Sequence, residues 1–135
     1  MQNTISFNEN QKRQLLEHAE KEKPNESCAI LYGKNDDSKA IVTEIYFTKN
    51  IEESPINFTI SNEELIKAYK TAEEKHLEIV GIFHSHPDSM AVPSNTDKRF
   101  MESNPVVWVI YSGVSKEFKA YTLNESVKEV TIQTS

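Results

Sequence analysis

A run of five apolar residues, Ile79-Val80-Gly81-Ile82-Phe83, leads directly into His84-Ser85-His86-Pro87. An uninterrupted apolar run of this length predicts a strand that is covered on both faces. In α/β proteins, functional sites lie at the carboxyl ends of such strands, where side chains are held rigidly. The stretch therefore predicts a central strand whose far end carries a site.

The two histidines have the spacing of paired metal ligands. Residues i and i+2 of an extended segment point to the same side, so His84 and His86 can bind one ion. A short loop later, Asp97 can supply a third ligand. Two histidines and one carboxylate suit a catalytic zinc that keeps a position open for water, although such a set can also hold iron. A histidine pair alone would more simply be a polar strand end, and it is Asp97 that favours the metal site.

The segment Ser94-x-x-Asp97 also has a purely structural interpretation, because this pattern is typical of a capping box at a helix start. The two interpretations are compatible, since a capped helix start would fix the orientation of Asp97 as a ligand. Before it, Met90-Ala91-Val92 is more apolar than a solvated loop needs. These residues either line a substrate channel or pack down.

The rest of the chain predicts helices and strands around this site. The patterns Asn8-x-x-Gln11 and Ser61-x-x-Glu64 predict two helix starts, and the first helix should end before Pro24. No repeat or linker divides the chain, so we expect one domain over residues 1–135. We expect an α/β three-layer sandwich in which a mixed β-sheet is flanked by helices, with further strands at 5–7, 28–32, 40–47, 106–111, 118–123 and 127–132.

The composition argues against several classes of protein. With 135 residues, a net charge of −6 and a pI near 5.2, the chain lacks the basic surface of a nucleic-acid or anionic-membrane binder. Its single cysteine, Cys28, lies in an apolar segment, which favours a packing role and a reducing compartment. No apolar stretch reaches the roughly 18 residues of a membrane span, and the start of the chain has no signal-peptide pattern. We therefore expect a cytoplasmic protein.

The spacing His84-x-His86, seven residues, Ser94, two residues, Asp97 resembles the motif of the JAMM (MPN-plus) metalloprotease family. A second element agrees. The segment Pro24-Asn25-Glu26-Ser27-Cys28-Ala29-Ile30-Leu31-Tyr32-Gly33 is similar to that family's Pro-x-Glu-x-Cys-x-x-Leu-x-Gly. Composition alone would make Glu26 a solvated loop acid, and only the resemblance gives it a functional role.

The resemblance implies a role for each matching residue. His84, His86 and Asp97 would bind one Zn²⁺, with water in the fourth position. Glu26 would act as general base toward that water and then as general acid toward the leaving amine. Ser94 would donate a hydrogen bond to the developing oxyanion. All five positions are filled, unlike in the MPN-minus scaffolds, and the implied fold is the MPN domain, which resembles the cytidine-deaminase α/β sandwich.

The resemblance also implies a class of substrate. Members of the family cleave isopeptide or peptide bonds after the C-terminal Gly-Gly of ubiquitin or ubiquitin-like proteins. Such a tail binds beside an exposed strand edge, which we expect within residues 49–60 unless that segment is only a surface connection. Only residues 98–104 separate Asp97 from the next predicted strand, so the chain is similar to the compact archaeal or bacterial members. We therefore expect a deubiquitinase-like isopeptidase that removes a ubiquitin-like or sulfur-carrier modifier from lysine.

Three alternatives stay open at this point. The first is a peptidase that trims the C-terminus of a sulfur-carrier protein. The second is a RadC-like protein, which shares the spacing but typically has His-Asn-His-Pro-Ser-Gly, whereas this chain has Ser85, Asp88 and Ser89. The third is a zinc-stabilised module that binds a ubiquitin-like partner without cleaving it. The presence of Glu26 argues against this module, because a structural zinc site normally has four protein ligands and needs no base.

Overall fold

The structure, a computed structural model, describes residues 2–135 and consists of seven strands and three helices. The strands are β1 (Thr4–Phe7), β2 (Cys28–Asp36), β3 (Lys39–Thr48), β4 (Glu78–His86), β5 (Val107–Ser112), β6 (Phe118–Asn124) and β7 (Ser126–Thr134). The helices are α1 (Glu9–Glu22), α2 (Asn62–Glu74) and α3 (Asn95–Ser103). Helix α1 begins after Asn8, whose side chain accepts the Gln11 N–H, and it ends before Pro24, as the sequence predicts.

One mixed sheet closes into a barrel with the strand order β1-β3-β2-β4-β5-β6-β7. Closure depends on β1, which pairs in parallel with β3 on one side and with β7 on the other, so that Ile5 lies opposite both Ala40 and Ile132. Strands β4 and β5 are also parallel, and the other neighbours are antiparallel.

The three-layer sandwich predicted from the sequence is therefore wrong. That prediction, including its cytidine-deaminase-like arrangement, required an open sheet flanked by helices, whereas β1 bonds to both neighbours and closes the sheet on itself. The alternation of Ile5 and Phe7 does predict a strand. A period-two pattern states which side chains share a face but not which distant strands become partners, so the closure has no local signal.

The barrel interior holds the larger apolar cluster. Alternate residues of the strands face inward, and Leu15 and Ala19 of α1 pack against them. The strand residues of this cluster include Ile5, Ala29, Leu31, Val42, Phe83, Val107, Val109, Ala120 and Val130. The burial of strand residues and of one face of α1 in this interior fixes the position of β4, which is paired with β2 and β5.

The outer face of β2, β4 and β5 is covered as well. Met101 of α3 and Phe58 pack on Ile82 and Trp108, while Ala68 of α2 packs farther along the same face. Strand β4 is thus buried on both sides, as its apolar run predicts. None of the helices within residues 2–135 has the length and hydropathy of a membrane span.

Candidate metal centre

Three side chains converge on the outer face at the end of β4. The Nε2 atoms of His84 and His86 are 3.0 Å apart, and Oδ2 of Asp97 lies 3.1 Å from each of them. All three residues are buried, with at most 4% of their surface exposed. In a tetrahedral zinc site with 2.0–2.1 Å bonds, ligand atoms are about 3.3 Å apart. The spacing and chemistry of this donor set therefore fit a small divalent cation.

The sheet and the surrounding rings hold the two histidines. His84 lies opposite Cys28 of β2 and Ile110 of β5, so its backbone is paired on both sides. The ring of Phe58 stacks on the His84 ring, with 4.8 Å between centroids and 25° between planes. The Nδ1 atom of His86 is 2.8 Å from the carbonyl oxygen of Met90. A ring nitrogen that donates to a carbonyl leaves the other nitrogen free to bind a metal.

The capping box predicted at Ser94 is present and orients Asp97. Oγ of Ser94 accepts the Asp97 N–H at 3.0 Å, and Oδ2 of Asp97 accepts the Ser94 N–H at 2.9 Å. The oxygen that completes the capping box is the same one that faces both histidines. The start of α3 thus sets the orientation of the carboxylate.

Glu26 lies beside this cluster, in the residues that precede β2. It is 4% exposed, and one of its carboxylate oxygens lies within 4.8 Å of ring nitrogens of both His84 and His86. Its Oε1 atom has no hydrogen-bond partner among residues 2–135. Burial raises the pKa of Glu26 to about 8, against the opposing effect of His86. The geometry therefore leaves a carboxyl oxygen free to exchange a proton next to the cluster.

The pKa shifts of His84 and Asp97 favour cation binding, whereas that of His86 opposes it. Burial lowers the pKa of His84, and this outweighs the hydrogen bond with Asp97. Burial also acts to lower the pKa of His86, but the hydrogen bonds with Asp97 and the Met90 carbonyl raise it overall. Burial acts to raise the pKa of Asp97, yet the two histidines hold it well below its usual range. A neutral imidazole and an ionised carboxylate are the forms that coordinate divalent metals.

Sequence reasoning missed a buried pair of serines that joins Glu26 to the histidine strand. Oγ of Ser85 accepts the N–H of Ser27 at 2.9 Å, and the two hydroxyl oxygens are 2.8 Å apart. The N–H of Ser85 also donates to the carbonyl of Ser27 at 3.0 Å. A signal for Ser85 was present, because a residue between two outward-facing histidines of a strand must face inward. Nothing in the sequence indicated Ser27 as its partner.

Residues 49–60, which we call the site loop, contain neither helix nor strand. The strand edge predicted there for a substrate tail is therefore absent. The loop instead places Phe58 against His84 and Ser54 against Glu26, whose N–H donates to the Ser54 carbonyl at 2.8 Å. Sequence reasoning did not identify Phe58 as part of the site, since a single aromatic residue in a polar loop has no pattern.

The structure thus brings Glu26, His84, His86, Ser94 and Asp97 together at one end of β4. Comparison with known proteins adds independent findings. Residues 8–124 match the family described as prokaryotic homologs of the JAB domain. The solution structure of a protein from Desulfitobacterium hafniense is similar, with a TM-score of 0.87, 29% identity and coverage of 97% of this chain and 92% of that one.

Three functionally named proteins are also similar to the chain. A desampylase from Pyrococcus furiosus is 39% identical over 103 residues, which cover 76% of this chain and 70% of the relative. A desampylase from Haloferax volcanii is 30% identical over 73% of each chain. A CysO-cysteine peptidase from Mycobacterium tuberculosis is 29% identical over 73% of this chain and 66% of that protein.

Proposed function

Because the chain belongs to the family of prokaryotic JAB-domain proteins, of the JAMM type predicted from its sequence, we propose that it is a zinc-dependent isopeptidase or peptidase. Its substrate in this proposal is a ubiquitin-like or sulfur-carrier protein, cleaved after a C-terminal Gly-Gly. The observation that carries the proposal is the pairing of two features. Three atoms suited to bind a metal lie 3.0–3.1 Å apart, and beside them lies the buried carboxyl group of Glu26, whose Oε1 has no hydrogen-bond partner among residues 2–135.

The residues that would hold the ion are His84 and His86 through Nε2 and Asp97 through Oδ2. Nitrogen and carboxylate donors suit zinc, and three protein ligands leave a position open, as in catalytic sites. When bound, zinc would polarise the scissile carbonyl and lower the pKa of water to about 7. Glu26 lies close enough to the two histidines to be a fourth ligand, but the proposal assigns it to the water in the open position.

Glu26 is assigned the proton transfers. It accepts a proton from the attacking water while the water oxygen joins the carbonyl carbon. It then passes the proton to the nitrogen of the leaving amine as the carbon–nitrogen bond breaks. The products are a carboxylate on the modifier and a protonated amine on the acceptor, which together hold both protons of the water. A positioned acid–base group of this kind contributes about 100–10,000-fold in rate.

Ser94 is assigned to the oxyanion. Its hydroxyl oxygen already accepts the Asp97 N–H, so its own hydrogen remains free to donate. Its side chain is exposed at the start of α3, next to the proposed ligands. A donor aimed at the developing oxyanion is worth about 3 kcal/mol of transition-state stabilisation.

The names of the relatives support the substrate class. Two of them are desampylases and one is a CysO-cysteine peptidase, which favours a hydrolase acting on ubiquitin-like or sulfur-carrier conjugates. The CysO-cysteine peptidase favours a second candidate within the same chemistry, a peptidase that trims the C-terminus of a sulfur-carrier protein. Both candidates use the same ligands and the same base, so the substrate alone separates them.

The test is cleavage of a ubiquitin-like protein joined through its terminal Gly-Gly to a lysine side chain, in parallel with the same carrier extended linearly at its C-terminus. Wild type, Glu26→Gln and chelator-treated protein are compared, with the metal content determined by elemental analysis. We expect the zinc-containing wild type to cleave and the other two samples to lose activity. Glu26→Gln should keep its zinc, because Gln preserves the shape of the side chain and Glu26 is not an assigned ligand.

The outcomes separate the alternatives. Preference for the lysine conjugate supports the isopeptidase, and preference for the linear extension supports the trimming peptidase. Tight zinc binding with no cleavage of either substrate, and partner binding unaffected by Glu26→Gln, would support a non-catalytic binding module. A wild type that binds no metal would contradict the site assignment.

A further inference from the structure

Asn50 is the second residue of the site loop and is 6% exposed. Its side-chain nitrogen donates to the carbonyl oxygens of Asn57 at 2.9 Å, Glu26 at 3.1 Å and Ser54 at 3.5 Å. Its side-chain oxygen accepts two N–H groups, those of Glu52 and Thr59, each at 3.1 Å. One amide group therefore ties together both halves of a loop that has no strand or helix of its own.

The same amide holds the backbone of Glu26. The Glu26 N–H donates a hydrogen bond to the carbonyl of Ser54 in the loop, and the Glu26 carbonyl accepts one from the side chain of Asn50. Strand β2 begins only at Cys28, so Glu26 lies before the first paired residue of the sheet. The position of its carboxyl group next to the histidines is set by the loop on one side and by the Ser27–Ser85 contact on the other.

The far end of the loop rests on the proposed ligand His84. Phe58 is 5% exposed and stacks on the His84 ring, and its ring centroid is also 6.0 Å from that of Trp108. The Asn50 side chain donates to the carbonyl of Asn57 and accepts the N–H of Thr59, and these residues lie on either side of Phe58. The group that holds Glu26 thus also holds the ring that covers His84.

These contacts require a side chain that donates and accepts at once, which an amide does and a carboxylate does not. Aspartate would keep the acceptor contacts with Glu52 and Thr59. It would also turn an oxygen toward three carbonyl oxygens and leave them without their donor. These hydrogen bonds therefore require asparagine at position 50, and aspartate, which has the same shape, cannot make all of them.

We propose that Asn50 is a positioning residue of the active site, which holds Glu26 and Phe58 in place around the metal ligands without touching substrate or metal. This inference rests on the proposed function for its kinetic consequence. Its structural consequence is that the Asn50 side chain holds the site loop in its conformation. This can be measured without any substrate.

The test compares Asn50→Asp, Asn50→Ala and the control Asn10→Asp in zinc-loaded protein. Asn10 is an exposed residue of α1 and does not line the cavity between Phe58 and Trp108, so the control adds the same charge outside the loop and its surroundings. Hydrogen exchange over residues 49–60 and 24–28 is compared with exchange in β6 and β7, and the emission of Trp108 is recorded. We expect faster exchange in the first two segments only, and a red-shifted emission, in both Asn50 variants but not in the control.

The kinetic readout separates positioning from general destabilisation. We expect kcat to fall by about 100-fold in Asn50→Asp, as for a misplaced catalytic group, while KM and zinc affinity stay within about threefold. Asn50→Ala adds no charge, so it shows the same pattern if loss of the amide is the cause. A fall in kcat that is no larger than the fall in the fraction of folded protein would overturn the inference. Faster hydrogen exchange throughout the barrel would overturn it as well.

Failure of the proposed function is distinguishable from failure of this inference. If the wild type cleaves no conjugate, the function is wrong, and exchange and emission still decide the role of Asn50. If the wild type cleaves but Asn50→Asp keeps its kcat and its slow exchange in the loop, the inference is wrong and the function stands.

Discussion

The indole ring of Trp108 and the imidazole ring of His84 meet edge to face, with 5.7 Å between their centroids. Trp108 is the only tryptophan of the chain and is 1% exposed. Its emission therefore comes from a single buried position in contact with a proposed metal ligand. Events at His84 can be followed by fluorescence without any substrate.

We expect Co²⁺ to quench the emission of Trp108, because an open-shell ion bound at His84 would lie within a few ångströms of the indole. Zn²⁺ should compete with Co²⁺ and restore the emission. Asp97→Asn should weaken Co²⁺ binding by about 100-fold or more, since even outer-sphere partners of a metal ligand contribute 10–100-fold. The matched control is Asp88→Asn, which removes the same charge from an exposed residue near His86. Equal affinities in the two variants would exclude Asp97 as a ligand.

The buried carboxyl group of Glu26 should make the metal-free protein less stable as the pH rises. Burial raises its pKa from 4.5 to about 8 in the fold, so between these values the folded state holds a proton that the unfolded state releases. The free energy of unfolding then falls by up to about 1.4 kcal/mol per pH unit through this window. Glu26→Gln lacks this titration, so it should be more stable than wild type at pH 8 and close to it near pH 5.

Urea unfolding of chelator-treated wild type and Glu26→Gln at several pH values checks this prediction. The other titratable groups of the site are present in both proteins, so their contributions cancel in the difference. A difference in unfolding free energy that does not change with pH would mean that Glu26 titrates normally. Zinc should reduce the difference at pH 8, because a nearby cation favours the ionised carboxylate.

Removal of the Ser85 hydroxyl should destabilise the fold by about 1–3 kcal/mol, because the buried N–H of Ser27 then has no acceptor. Ser27→Ala removes only the hydroxyl-to-hydroxyl contact and leaves that N–H bonded to Ser85. It should therefore cost less. Urea unfolding of the two metal-free variants checks the order, and a larger loss in Ser27→Ala would show that the N–H contact is not the important one.

The loop between His86 and Asp97 should depend on the hydroxyl of Tyr121. That hydroxyl donates to the carbonyl oxygen of Ala91 at 2.5 Å, and the neighbouring carbonyl of Met90 holds the ring of His86. Tyr121→Phe should loosen this support and weaken metal binding by about tenfold, as loss of an outer-sphere contact does. Tyr69→Phe, at an exposed position of α2, is the control. Unchanged Co²⁺ affinity in Tyr121→Phe would contradict the prediction.

The parts of the site that follow from local spacing could be predicted from the sequence. Two histidines separated by a single residue in an apolar strand must share a face. The pattern Ser94-x-x-Asp97 predicts a helix cap whether or not Asp97 also binds a metal. Glu26 needed the family resemblance, because a single acid before a strand has no distinguishing pattern. The structure places it beside the histidines, while its role as a base stays a prediction.

The parts that rest on contacts between distant residues could not be predicted. The contact of Asn50 with Glu26 and that of Ser27 with Ser85 join segments far apart in the sequence. The same is true of β1, whose two partners decide between an open sheet and a barrel. Side-chain periodicity reports burial along one element, and it contains no information on which elements meet.

The seam between β1 and β7 has a consequence for how the molecule folds. It places Thr4 opposite Thr131 and Phe7 opposite Thr134, so its formation closes a loop that includes nearly the whole chain. The hairpins β2–β3 and β6–β7 close much shorter loops and lose less chain entropy. We therefore expect the seam to form last in refolding, after β2 and β5 have paired with β4, the strand that carries both histidines. Until then β1 and β7 present unpaired edges, and chains at high concentration can associate through them.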